Sequence, residues 1–230
     1  MDTPISGEEI ARRARIASVR DLLIVDDHPL ICDALAFTLK RAFDLKRVRT
    51  VSSLAAAKES LAQDGPPDAV ALDLNLPDAE GLEGVMSLRR LAEDAPLTVI
   101  SSTLDPQLVE GVIGAGARGY VLKTLERKEM VAAFSRMWAG DVVLPEGCEA
   151  AGAGEEDAAA LARDFATLTP QQFKILRLIC EGRPNKLISY ELSIAEATVK
   201  THIAAIMSKI RVRNRTQVAF LANRARIFSR

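Results

Sequence analysis

The sequence predicts a flavodoxin-like (βα)5 fold, a doubly wound parallel sheet, followed by a small all-α four-helix domain. Three observations carry this. Short apolar runs alternate with helical patterns as far as residue 140, and no strand pattern remains from Leu168 onward. The charge divides at the same place. The 30 basic and 31 acidic side chains nearly cancel, but residues 1–165 hold 18 basic against 28 acidic and residues 166–230 hold 12 against 3.

The first strands are read at Leu22–Val25, Ala69–Leu74, Leu97–Ile100 and Gly119–Leu122, with a weaker alternating one at Lys46–Val51. They are β-branched or Leu-rich and too short for helices, as strands buried on both faces are. Pro29 opens a helical pattern at a position where a first turn tolerates proline. Ser52 or Ser53 caps the next, Asp105 the one beginning at Pro106, and Thr124 the one through Trp138. Right-handed crossovers then leave few topologies, of which the flavodoxin-like order is the commonest for five strands.

The expected organisation is an N-terminal extension over residues 1–19, an α/β domain over 20–140, a linker over 141–165 and a helical domain over 166–230. The stretch Pro145 to Arg163 is rich in Ala, Gly and Glu and should bury little, although Glu155 to Arg163 has the composition of a linker helix. Beyond it, Phe173, Leu176, Ile179 and Cys180 form a helical stripe that Gly182 ends. Pro184 opens a short helix with Ile188 and Leu192 inward. Ser193-Ile194-Ala195 makes a turn, and Val199, Ile203, Ile206 and Ile210 form the buried face of a second helix. Lys200, Thr201, Ala204 and Ser208 must then point outward, the pattern of a helix-turn-helix whose second helix fits the major groove. A generic small bundle is the alternative on spacing alone. A last helix runs from about Arg215 to Phe228, with Val218, Leu221 and Ala222 on one face.

No apolar run approaches the roughly 18 residues a membrane span needs, and the first twenty residues lack the apolar core of a signal peptide. Three widely spaced cysteines (Cys32, Cys148, Cys180) fit a reducing compartment, so the expected location is cytoplasmic, with no membrane partner.

In a doubly wound sheet, ligands bind beyond the carboxyl ends of the strands. Those ends carry Asp26 and Asp27, Asp73, Ser101 and Lys123. Three crowded carboxylates repel, and a hard cation such as Mg²⁺ removes the penalty. Asp73 has the chemistry of a nucleophile that forms an acyl phosphate. Ser101 supplies a hydroxyl, and Lys123 a point charge for a phosphoryl oxygen. Taken singly, each has a plainer role: a cap, a turn starter, a solvated lysine. Their common place on one rim is the signal.

Residues 20–140 resemble a response-regulator receiver domain of two-component signalling. The resemblance lies in LLIVDD, in DLNLPDAEG beginning at Asp73, in Ser101 after LTVI, and in GYVLK ending at Lys123. It implies Asp73 as phosphoacceptor, Asp26, Asp27 and Asp73 as Mg²⁺ ligands, Ser101 as switch hydroxyl and Tyr120 as the aromatic that moves with it. Plain packing with its hydroxyl at the surface is the alternative for Tyr120. Ser102 and Thr124 depart from the usual alanine and proline. Residues 166–230 resemble the LuxR-type helix-turn-helix through LTPQQFKILRLICEG and EATVKTHIAAIMSKI, so the whole chain resembles a NarL/FixJ-type response regulator. That implies base-facing Lys200, Thr201 and Ala204, and phosphate contacts from Lys186, Thr198, Lys209, Arg213 and Arg215. Double-stranded DNA, a sensor histidine kinase and a homodimer formed on phosphorylation are the implied partners. Ala195 stands where the family often has a capping Ser or Thr, and Ala204 replaces a longer polar residue.

The resemblance is to regulators and not to enzymes. The competing readings are an aspartyl-phosphate phosphatase and a phosphorylation-independent DNA binder. The first is disfavoured because Asn75 interrupts the D-x-D pattern and Asp73 lies on the third strand. The complete acidic and lysine set opposes the second. The charge division also raises the expectation that the acidic half holds the basic half electrostatically.

Overall fold

The computed structural model describes residues 7–79, 81–148 and 156–228. Residues 1–6 of the expected extension and 149–155 of the expected linker lie outside the described residues. Five parallel strands form one sheet in the order β2-β1-β3-β4-β5: β1 (Asp21–Val25), β2 (Arg47–Val51), β3 (Ala69–Asp73), β4 (Leu97–Ser101) and β5 (Gly119–Leu122). This is the expected flavodoxin-like order. Every residue of β3 and β4 is buried, whereas in edge strand β2 only Arg49 is.

The crossover helices are α2 (Pro29–Phe43), α3 (Leu54–Asp64), α4 (Glu83–Leu91), α5 (Pro106–Gly114) and α6 (Arg127–Trp138). Pro29 sits in the first turn of α2, and Ser53 and Asp105 cap α3 and α5 with their side-chain oxygens, as their residue types predict. Thr124 does not cap α6. Leu125 N–H bonds back to the Leu122 carbonyl, so the chain turns once more, and Glu126 becomes the cap, its N–H donating to Glu129 at 3.3 Å. The Lys123–Thr124 peptide is trans.

The N-terminal helix and α4 stand outside the sequence expectation. α1 (Gly7–Ser18) belongs to the stretch read only as an extension. It lies on α6, with Arg12 2.8 Å from Asp141. α7 (Glu156–Ala166) is the anticipated linker helix, but it is no loosely tethered spacer. Ala162 and Phe165 are fully buried, Leu168 just beyond it is nearly so, and the helix packs along α5. Of these, Ala162 lies within the stretch expected to bury little, and Phe165 and Leu168 lie just past its end at Arg163. The small residues of α7 let it approach α5 closely, and its few large ones do the burying.

The C-terminal helices are α8 (Pro170–Cys180), α9 (Asn185–Glu191), α10 (Glu196–Lys209) and α11 (Arg215–Arg224). Thr169 and Gln172 make a reciprocal capping box on α8. Gly182, at φ +78°, ends α8 in a Schellman pattern: its N–H donates to Ile179 O, and Arg183 N–H to Leu178 O. Ser193 supplies the left-handed residue of the α9–α10 turn. Val199, Ile203, Ile206 and Ile210 form the buried face of α10. α11 stops at Arg224, four residues short of Phe228, because Arg226 turns left-handed and carries the chain toward the sheet domain.

That turn builds a seam between the two halves. Leu82 N–H donates to Ile227 O at 3.1 Å, Arg226 pairs with Asp105 at 3.0 Å, and Arg177 pairs with Glu83. Arg177 also lies over the Phe228 ring, which in turn meets Phe173. Acidic and basic halves thus meet through ion pairs, backed by backbone bonding and aromatic packing. No helix among the described residues is long and apolar enough to cross a membrane.

Candidate functional sites: an acidic rim and a recognition helix

The first site lies at the carboxyl ends of β1, β3, β4 and β5. Asp26 follows the last residue of β1 and is buried, and Asp73 ends β3 and is also buried. Lys123 follows β5, and its backbone N–H is fixed by Ser101 O at 2.8 Å. Its ammonium reaches both acids: Nζ donates to Asp73 Oδ2 at 2.9 Å and lies 2.8 Å from Asp26 Oδ2. The second approach is an ion pair without hydrogen-bond alignment. Asp26 Oδ2 and Asp73 Oδ1 are therefore buried carboxylate oxygens with no hydrogen-bond donor. Burial alone would push the Lys123 ammonium down. The Asp26 and Asp73 carboxylates beside it outweigh this and hold its pKa above the ordinary lysine value.

Asp27 and His28 complete the rim on its exposed side. His28 Nδ1 lies 2.7 Å from Asp27 Oδ1 and 3.1 Å from Asp26 Oδ1, and ligand atoms of Asp26, Asp27, His28 and Asp73 all fall within 4.8 Å of one another. Three carboxylates face one lysine. Two orphaned, buried, acceptor-only oxygens beside that excess of negative charge fit a hard divalent cation such as Mg²⁺.

Asp78, Ser101 and Tyr120 also shape this rim. Asp78, in the loop after Asp73, accepts both Leu54 and Ala55 N–H at 2.8 Å and so ties that loop to the start of α3. The hydroxyl of buried Ser101 accepts from Thr103 N–H at 3.2 Å. Tyr120 is buried and does not leave its hydroxyl at the surface. It donates to Thr103 O at 2.6 Å, so β5 and the loop after β4 are joined through one tyrosine. Burial raises the Tyr120 pKa, although a hydrogen bond with Ser101 opposes it.

The second site is the outer face of α10. Lys200, Thr201, Ala204 and Ser208 are all exposed, as is Thr198 in the first turn. Lys200 is held 3.2 Å from Glu196, one turn back, and Thr201 bonds back to Ala197 O. Ala195 provides no side-chain cap, and Glu196 is the acidic residue of the first turn. Lys186 and Arg213 are exposed. Lys209 and Arg215 are not presented in the same way. Lys209 Nζ donates to Thr167 O at 2.7 Å and to Gln172 Oε1 at 2.9 Å, and Arg215 bonds Asn185 Oδ1 and the Arg183 carbonyl. In this arrangement both cations brace the helical domain. The seam uses α8 and the segment after α11, and so leaves the outer face of α10 open.

A phosphoryl-type acidic rim and a basic helix-turn-helix in one chain define a class: a signalling receiver joined to a DNA-binding output domain. Residues 22–135 match the model of the response regulator receiver domain, and residues 166–222 that of the bacterial regulatory proteins of the luxR family. The chain is 33% identical over 209 residues to the nitrate/nitrite response regulator protein NarL of Escherichia coli strain K12, covering 90% of this chain and 96% of that one. It is 34% identical over 208 residues to the transcriptional regulatory protein LiaR of Bacillus subtilis strain 168, covering 88% of this chain and 96% of the relative. RcsB from Salmonella enterica serovar Typhimurium, solved bound to a promoter with a phosphomimetic, superposes with a TM-score of 0.54 over 90% of this chain and 99% of that chain, and its 19% identity speaks to fold alone. The chain belongs to the NarL/LuxR family of two-component response regulators. It is a phosphorylation-dependent, DNA-binding regulator of transcription, served by a sensor kinase.

Proposed function

We propose that Asp73 is the phosphoacceptor, and that its phosphorylation controls sequence-specific DNA binding by α10 and dimerisation of the chain. The observation that carries this is the buried Asp73 carboxylate, with Oδ2 held by Lys123 and Oδ1 free of any hydrogen-bond donor. An acceptor-only oxygen of that kind is a nucleophile in place. The phosphorus–nitrogen bond of a kinase phosphohistidine breaks as the bond from Asp73 oxygen to phosphorus forms. Lys123 turns its charge to an oxygen of the arriving phosphoryl group, and Ser101 donates its hydroxyl to another. Asp26, Asp27 and Asp73 are the ligands proposed for Mg²⁺, which supplies charge neutralisation during transfer. Movement of Ser101 draws on Thr103, whose carbonyl holds Tyr120, and Asp105 two residues on holds Arg226 of the DNA-binding half.

On the DNA side, Lys200 reads guanine O6 or N7, Thr201 meets a thymine methyl, and Ala204 makes at most an apolar contact. Lys186, Thr198 and Arg213 are the phosphate contacts that the exposed surface supports, and Lys209 and Arg215 reach DNA only by exchanging their present bonds. We assign the extension to residues 1–19, the receiver to 20–140, the linker to 141–165 and the DNA-binding domain to 166–230, and place the protein in the cytoplasm. Nothing in this reading asks for turnover of a substrate by the chain.

Incubation with acetyl phosphate and Mg²⁺ is expected to add the mass of one phosphoryl group to the intact chain. Asp73→Asn should carry none under the same conditions, and chelating the metal should abolish the adduct of the native chain. An adduct of equal size on Asp73→Asn would refute the assignment.

A further inference from the structure

A cavity of about 390 Å³ lies on the seam between the two halves, apart from both sites described above. Its walls come from α3 and α4 of the sheet domain and from α8 of the helical domain. Met86 and Phe173 give it a buried apolar floor, whereas Leu91 in the same wall is left 49% exposed. Ligand sites favour this setting: a concave, mostly apolar space at a domain interface, with a few convergent polar groups. The charges around it are unequal. Lys58, Arg90 and Lys174 line it against Glu83 alone, and Glu83 is already paired with Arg177. Among the described residues none of the three cations sits in an ion pair, and Arg90 donates only to the Ala166 carbonyl, at 3.2 Å. Desolvation pushes the Arg90 guanidinium below its ordinary pKa, with no carboxylate to offset it. An anion in the cavity would supply the missing charge.

We propose that this cavity binds a small aromatic carboxylate, with its ring on Met86, Leu91 and Phe173 and its carboxylate among Lys58, Arg90 and Lys174. The ring covers apolar surface that the two domains leave open between them. The guanidinium takes a carboxylate in two parallel hydrogen bonds, and the lysines add point charges. An inorganic anion would leave the apolar floor uncovered, and a neutral aromatic would leave the cations unpaired, so the site asks for both properties in one molecule. Lys58 and Arg90 belong to the sheet domain and Lys174 to the helical domain. A bound molecule therefore touches both and favours the arrangement in which they meet.

The test is isothermal titration calorimetry of the full chain with 1-naphthoate, and with 1-naphthalenemethanol as its neutral analogue. One 1-naphthoate per chain is expected, with a Kd of about 1 mM or tighter, and the neutral analogue should bind at least about tenfold more weakly. Lys58→Glu combined with Lys174→Glu should weaken 1-naphthoate at least about tenfold. Both lysines are exposed, so the change leaves the core intact. Lys40→Glu combined with Lys128→Glu makes the same charge change on α2 and α6, over the other face of the sheet, and should leave the affinity unchanged. The comparison of the two ligands uses the native chain alone and so holds whatever the stability of the variants. No saturable binding of 1-naphthoate, equal binding of the neutral analogue, an unchanged affinity in the Lys58 and Lys174 variant, or an equal loss in both double variants would each overturn the proposal.

Discussion

Replacing Phe165 by alanine is expected to destabilise the protein by about 3–5 kcal/mol, the usual result of emptying a fully buried aromatic site. The residue lies in the stretch between the two domains, where composition suggests a tether. In a tether the same change would fall within about 0.5 kcal/mol. The difference arises because α7 packs along α5, and Phe165 and Ala162 belong to one apolar cluster that runs from the sheet domain into the helical domain. Asp105 caps α5 and also receives Arg226, so this packing ties the DNA-binding half to the element that follows β4. Denaturant unfolding of native and Phe165→Ala chains separates the two expectations. A change below 0.5 kcal/mol would show that α7 is not packed.

Gly81→Val should open the seam. Gly81 has φ +54°, and a Cβ there would lie 2.7 Å from the carbonyl oxygens of both Arg226 and Ile227. Those are backbone atoms and cannot swing aside, and a β-branched residue is strained in the left-handed region in any case. The Leu82–Ile227 hydrogen bond would be lost with the fit. The radius of gyration from X-ray scattering should increase while phosphorylation of Asp73 is retained. Gly65→Val supplies the control. Gly65 has φ +77° with nothing within 4 Å, so it carries backbone strain without a clash and should leave the radius unchanged. An unchanged radius in Gly81→Val would contradict the seam as described.

The sheet and its rim were legible because both follow from local rules. Buried strands read as short apolar runs, and the residues that end them must meet at one edge. Asp26, Asp73 and Lys123 were therefore found from sequence, and so was the outward face of α10, which four buried aliphatic residues dictate. What escaped depends on distant partners. α4 has no side-chain cap, and the residue before it is held by Ile227 in the other domain. α7 is marked by alanines, whose packing role is decided by α5 and not by their own hydropathy. Lys209 and Arg215 are the residue types that contact phosphate, yet a basic side chain alone does not say whether a carbonyl of its own domain has engaged it. Asp78 had a signal in its place within DLNLPDAEG, but its bonds to α3 depend on the fold.

Phosphorylation of Asp73 is proposed to change how the helix-turn-helix binds DNA. The most direct measurement is the affinity of the full chain for a duplex selected by the chain itself from a random pool, at fixed salt, with Mg²⁺ and with or without acetyl phosphate. Phosphorylation should tighten binding about 5–150-fold, the range of a coupling of about 1–3 kcal/mol, with no change in Asp73→Asn. Equal affinity of the native chain in both conditions, once the phosphoryl adduct has been verified by mass, would contradict it.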